Sequence, residues 1–285
     1  MESGGWAYSG SRQESIEATC LGALALSPEP ESAAIQAVEF LLRCQLPGGS
    51  WPAFHGDREG SWTTALALST AIVTNHNSAA CERALLWLLT EKGNEAHWLW
   101  RWKFKTTDRN VRFDPDKYGW PWTPGAGSWV IPTAFALIAI KQYTVCARRE
   151  AAERRIRLAV EMLFDRACVD GGWNSGNGVV YGVPLRPHVE ATAIALLALQ
   201  DEGRNEVIER SLRWLRQQAT AVEAPSSLAW TILSLFTYQE SIQQLQDRLS
   251  EMIGEQADVQ NNATLAAGLL ALRCGEMIHP FMVLR

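Results

Sequence analysis

The sequence predicts an all-α fold, and within that class an (α/α)6 toroid: helix pairs that curl into a ring around a central cavity. Three observations lead there. Four Gly-Trp segments recur along the chain, each is followed by an apolar helix, and helices of two different characters alternate. The one competing pattern is a short alternating stretch at 97–105, which fits a strand or extended segment laid over the ring mouth.

The segments are Gly4-Gly5-Trp6, Gly48-Gly49-Ser50-Trp51, Tyr118-Gly119-Trp120 and Gly171-Gly172-Trp173, with Trp-to-Trp spacings of 45, 69 and 53 residues. Ala- and Leu-rich runs follow them at 14–27, 61–74, 128–141 and 187–200, and two more lie at 225–238 and 261–273. Runs apolar on nearly every side belong in the interior. Between them, 32–44, 79–91, 148–164, 205–218 and 240–254 place Leu, Ile or Val at i, i+3, i+4, i+7 and charge on the other face, as surface helices do. Short connections make sequential helices antiparallel. Two concentric layers result, and six pairs suffice to close a ring; an open solenoid is the alternative. Only Gly275–Arg285 follows the last inner helix, so imperfect closure is expected there. The expectation is one domain over 1–285, with an insertion at about 94–118.

Apolar residues make up 47% of 285, enough for a large core, and the formal net charge of -5 gives no global attraction for nucleic acid. No apolar run is long enough to span a bilayer, and Met1–Gly10 lacks the pattern of a secretory leader. Six scattered cysteines without a C-x-x-C pair read as reduced thiols, and a cytoplasmic location is expected.

The most specific segment is FLLRCQLPGGSW (40–51). Pro47 stops an outer helix, Gly48-Gly49 permit the turn, and Trp51 lies against helix ends. The Gln45 amide is expected to bond free N–H groups of the next helix. Ser11-x-x-Glu14 fits a capping box for the first inner helix.

Here the chain resembles the terpenoid cyclase and protein prenyltransferase superfamily. Gln45-x-x-x-Gly49-Ser50-Trp51 is similar to the QW repeat of squalene-hopene and oxidosqualene cyclases. DGGWNSGN (170–177) and KYGWPWTPG (117–125) resemble prenyltransferase/squalene-oxidase repeat proteins. The resemblance implies a toroid like a lone β-type cyclase domain.

Class II cyclases of that superfamily protonate an alkene or epoxide with an Asp in a D-x-D-D-T-A motif. His188-Val189-Glu190-Ala191-Thr192-Ala193 is the matching place, with Thr192 and Ala193 identical and Glu190 at the proton donor's position. His188 replaces the first Asp. Ile16-Glu17-Ala18-Thr19 is a second near-match, and helices three steps apart in a six-fold ring would set Glu17 and Glu190 face to face. Burial would raise a carboxyl pKa as this chemistry requires. Against that stands a plain dipole reading: Pro187 marks a first helical turn, where an acidic residue is favoured and its pKa is lowered.

The 94–118 insertion supplies the second set of candidates. Trp98, Trp100, Trp102 and Phe104 take alternate positions, with Arg101, Lys103 and Lys105 among them, and Arg109, Arg112 and Asp116 follow. They read either as a basic rim for an anionic head group beside aromatic walls, or as a lid whose charges pair with each other. Tyr118, Trp120, Trp122, Trp129, Trp173 and Arg186 complete the expected substrate-binding set, with aromatic faces able to stabilise cationic intermediates. The same Trp-rich basic strip (98–105) suits peripheral contact with a membrane surface. His55 and Asp57 read as loop polar groups. No Cys/His cluster has zinc-ligand spacing, and no dinucleotide or phosphate-loop signature occurs, so no cofactor is implied beyond Mg accompanying a diphosphate substrate. Three functions remain open: a proton-initiated cyclase or isomerase acting on a polyprenyl or related apolar chain, a non-catalytic isoprenoid binder, and an interaction scaffold.

Overall fold

The computed structural model describes residues 3–10, 13–27, 32–76, 78–107, 112–146, 150–255 and 261–283. In chain order the α-helices are α1 (Ile16–Leu26), α2 (Ser32–Cys44), α3 (Thr63–Val73), α4 (Ser78–Thr90), α5 (Trp98–Thr106), α6 (Val130–Cys146), α7 (Glu150–Arg166), α8 (Val189–Ala198), α9 (Glu206–Ala219), α10 (Pro225–Thr237), α11 (Gln243–Glu255) and α12 (Asn262–Leu272). A two-residue antiparallel hairpin, β1 (Val179–Val180) with β2 (Val183–Pro184), sits in the loop before α8.

Hydrophobic pattern decides the layer of each helix. In α8 every residue from Ala191 to Ala198 is buried, so no face is left for solvent. In α9 only Ile208, Ser211, Leu212, Leu215 and Ala219 are buried, a single stripe. The inner helices α1, α3, α6, α8, α10 and α12 pack in that order, and α12 packs against α1. The expected defect in closure is absent. Asn262 Nδ2 donates to the Ala7 carbonyl at 2.8 Å and Arg273 donates to the Ala25 carbonyl at 2.9 Å, which pins both ends of α12 to α1 and its lead-in. No outer helix follows α12 among the described residues; α11 covers both α10 and α12.

All inner helices start at one end of the ring. Ile16 N–H bonds to Ala53, Trp62 N–H to Trp122, Val130 N–H to Ser175 and Asn262 N–H to Tyr8, so the loops before neighbouring helices are stitched into a rim. The opposite end is closed by the C-terminal segment. Gln142 donates to the Pro280 carbonyl at 2.7 Å, Gln200 to that of Phe281 at 3.0 Å, and Thr237 Oγ1 lies 2.8 Å from His279 Nε2.

The Gly-Trp segments are the joints. In each, the Trp backbone N–H donates to a Thr hydroxyl in the first turn of the following inner helix at 2.9 Å: Trp6 to Thr19, Trp51 to Thr64, Trp120 to Thr133 and Trp173 to Thr192. The indole N–H groups of Trp51, Trp120 and Trp173 donate to Leu41, Leu88 and Leu163, carbonyls near the end of the preceding outer helix. Gly49 (φ +92°) and Gly171 (φ +96°) lie on the backbone of the next outer helix, where a Cβ would strike the Arg83 and Arg210 carbonyls. One loop thus fixes three helices.

Two local expectations are corrected. Gln45 bonds to carbonyls instead of capping N–H groups: Nε2 donates to Gly49 and Ala80 at 2.9 Å each, and Oε1 accepts from Arg83. The first inner helix is capped by Ser15, whose hydroxyl accepts from Ala18 N–H at 3.3 Å, while Glu14 accepts from Ser3 and faces His55. Ser11 lies outside the described residues.

Candidate active site at the ring mouth

Glu17 and Glu190 are each the second residue of an inner helix, α1 and α8, which stand opposite each other in the ring. Both side chains are half-buried. Burial is the main cause that raises the Glu17 pKa above the usual carboxylate value, and the Glu190 charge raises it further. Burial also raises Glu190, against the lowering effect of a 3.4 Å bond from Ser227 Oγ. The helix dipole argued for the opposite shift; removal from water outweighs it here. Tyr8 Oη donates to Glu17 Oε2, and burial together with that carboxylate keeps the phenol protonated well past its ordinary range.

An aromatic column descends from the mouth. Trp122 meets Trp62 at 5.2 Å between ring centroids, Trp62 meets Phe135 at 5.4 Å, Phe135 meets Trp230 at 5.5 Å and Trp230 meets Phe281 at 5.1 Å. Phe135 on α6 and Trp230 on α10 are separated in the ring by α8, so their contact crosses the central space. At this level the interior is bridged by rings and is not hollow. Sequence reasoning missed Trp62, Phe135, Trp230 and Phe281 as lining residues. The available signal for Phe135 and Trp230 was a large ring in the otherwise small or aliphatic first half of an inner helix; Trp62, a helix cap, and Phe281, in the tail, carried none.

The other expected residues fall elsewhere. His188 is the exposed N-cap of α8; its side chain makes no capping bond, and Nδ1 lies 3.4 Å from Ser175 Oγ. Pro187 precedes the cap and lies outside the helix. Thr192, the apparent motif match, belongs to the Trp173 joint. Trp120 and Trp173 are buried in joints, and the Arg155 guanidinium covers the rings of Trp120 at 3.9 Å and Tyr118 at 5.1 Å. Residues 98–106 form helix α5, not a strand: the His97 imidazole accepts from Leu99 N–H, and Trp100 stacks on Phe104 one turn away. Trp98 and Trp102 are 71% and 59% exposed on its outer face. The insertion charges pair mostly with each other: Asp116 bonds Arg101 at 3.2 Å and Lys105, and Lys117 lies near Asp114 and Asp165. Arg112 is exposed and anchors the hairpin through its backbone N–H to Val179. Arg109 lies outside the described residues. Arg186 and His188 line an open cavity of about 410 Å3 that also reaches Trp129. His55 pairs weakly with Glu14 at 3.4 Å.

Among the described residues no three His, Cys, Asp or Glu side chains come together as metal ligands, so no step is assigned to Mg. Nor is any described helix long and apolar enough to cross a membrane. The thiols of Cys20, Cys44, Cys81, Cys168 and Cys274 are buried.

Six buried inner helices, an outer layer and a mouth built from their starts define an α/α toroid. No protein-family model and no curated protein matches the sequence. Solved structures do match, and they share the ring. An alpha-amylase from Clostridium perfringens superimposes with a TM-score of 0.62 at 13% identity, over 92% of this chain and 87% of that one. The type II terpene cyclase MstE from Scytonema gives 0.53 at 18% identity, over 91% and 74%. The ent-copalyl diphosphate synthase from Streptomyces platensis gives 0.57 at 17% identity, over 92% of this chain and 50% of that one. The chain therefore has the toroid fold that terpene cyclases share with other enzymes.

Proposed function

We propose that the ring mouth is a proton-donating site acting on a polyprenyl or related apolar chain by cyclisation or isomerisation. The carboxylate pair carries this reading: Glu17 and Glu190 on opposite helices, both raised in pKa by burial, at the head of an aromatic column. Each carboxyl accepts one hydrogen bond, Glu17 from Tyr8 and Glu190 from Ser227, so the two can share a proton, and Glu190, at the donor's place in the sequence motif, is assigned to deliver it. Glu190 Oε–H then breaks as a C–H bond forms on an alkene carbon. The resulting cation faces Trp62 and Trp122. Loss of a proton from a neighbouring carbon to the Glu17 carboxylate restores an alkene. His188, exposed at the rim, takes no part. A variant of the Scytonema cyclase has been solved with geranylgeranyl dihydroxybenzoate as substrate, and that class of ligand is carried to this chain.

The test is incubation with polyprenyl diphosphates and squalene, followed by product analysis. Conversion is expected, falling by about 100-fold or more in Glu190→Gln and declining as pH rises through the raised Glu190 pKa. Product formation indifferent to Glu190→Gln would sink the assignment.

A second reading, an interaction scaffold whose rings only pack the interior, is favoured by Phe135, Trp230 and Phe281 bridging it. No polyprenol binding and no product in any assay would select it. In either case the outer face of α5, with Trp98, Leu99 and Trp102 exposed beside Lys103 and Lys105, suits contact with an anionic lipid surface. Cosedimentation with anionic vesicles is expected and should be lost in Trp98→Ser/Trp102→Ser.

A further inference from the structure

Beneath the inner face of α5, outside the ring, lies a cavity of about 320 Å3. Its volume falls within the range of small-ligand sites, about 300–1,000 Å3. Four rings form its walls: Trp100 and Phe104 from α5, Phe113 from the following segment, and Trp129 at the start of α6. Glu95 and Arg166 also line it, 3% and 2% exposed, with Arg166 Nη2 3.4 Å from Glu95 Oε1. The mouth chemistry uses neither.

The charge state of this cavity narrows its ligand. Glu95 is compensated by Arg166 and by the Ser128 N–H, 3.1–3.2 Å from its two oxygens, and Asp165, 3.8 Å from Arg166 Nε, is balanced by Lys117 at 3.7 Å. The Arg166 guanidinium lies 4.2 Å from the Phe113 ring centre, so a cation already occupies that face. A net-neutral site with a resident cation disfavours both ammonium and anionic ligands. Hydrogen-bonding capacity remains, because the acceptor Asn177 Oδ1 is buried without a hydrogen-bond partner and the donor Arg166 Nε, also without one, has only the ion-pair contact to Asp165 Oδ2 at 3.8 Å. Unmet polar groups of this kind disfavour a purely apolar chain. A neutral ring with apolar C–H faces and edge hydroxyls, each both donor and acceptor, meets every requirement.

We infer that the cavity under α5 is a binding site for a neutral sugar ring, set among Trp100, Phe104, Phe113 and Trp129 and hydrogen-bonded at the Asn177 and Arg166 edge. Trp129 and Asn177 also line the adjoining rim cavity, which gives a second ring room to follow.

The experiment titrates the full chain with neutral monosaccharides and disaccharides (glucose, xylose, maltose, xylobiose), followed by ligand-observed NMR and Trp fluorescence. Saturable millimolar or tighter binding is expected for at least one. Trp100→Ala and Asn177→Ala should each weaken it about five- to tenfold, with unchanged circular dichroism. Trp98→Ala, on the exposed face, should leave it unaltered. Absence of saturable binding across the panel overturns the inference. So does binding that survives both Trp100→Ala and Asn177→Ala.

Discussion

Glu190 shows how a residue's chemistry depends on partners far away in sequence. Position alone, in the first turn of a helix, argues for a stabilised carboxylate; burial among other elements reverses the shift. The position of both glutamates was legible from the repeat. Their environment was not, because Tyr8 and Ser227 come from other segments. Thr192 is the converse case. It matched a catalytic motif, yet the Trp-to-Thr separation of 13 residues at Trp6, Trp51 and Trp120 marks a structural pair, stretched to 19 at Trp173 by the β1–β2 hairpin. A third residue makes a testable statement about pH. Burial lowers the His279 pKa to about 4, below the ordinary 6.5. Above pH 6.5 the imidazole is neutral in folded and unfolded chains alike. As pH falls from 6.5 to 4 only the unfolded chain takes up the proton, so stability declines by up to roughly 3 kcal/mol. Glu17 and Glu190, raised by burial, contribute the opposite slope. Denaturant unfolding across this window should show the acid-side decline reduced in His279→Gln; an unchanged slope would place the loss elsewhere.

At the scale of elements, periodicity located the inner and outer helices to within a few residues because burial and helical repeat follow one geometry. It failed at 97–105. Alternating Trp satisfies a strand, but the same residues put Trp98 and Trp102 on one helical face and Trp100 and Phe104 on another. The His97 cap and the packing of Phe104 on Phe113 at 4.8 Å settle the choice, and neither is visible in a hydrophobic pattern. The joints between elements yield the next prediction. Thr64→Val removes the acceptor of the Trp51 N–H and leaves a buried donor unpaired, at a cost of about 1–3 kcal/mol. Thr64→Ser keeps the hydroxyl and should lose less. Equal losses in chemical denaturation would mean that the methyl group, not the hydrogen bond, stabilises the joint.

For the whole molecule, closure of the ring and closure of its lower end are separate events. The six helices of the ring were legible as apolar runs, although their closure after α12 was expected to be imperfect; the closure of the lower end was not legible, since residues 276–283 carry no repeat and their role depends on where the inner helices happen to end. The segment is hydrogen-bonded to α6, to Gln200 just past α8, and to α10, and it sends Phe281 upward against Phe135 and Trp230. Phe281 is therefore a core residue supplied by a tail. Phe281→Ala should cost about 3–5 kcal/mol, as for other large buried rings, and leave an apolar void where the column now ends. Such a void stays dry and takes up small apolar solutes, so benzene should raise the unfolding temperature of Phe281→Ala more than that of the parent. Under the cyclase reading the same variant admits a longer chain, and its products should shift toward longer substrates. A loss of under about 1 kcal/mol, with no benzene effect, would mean that the tail leaves the ring in solution and that the aromatic column ends at Trp230.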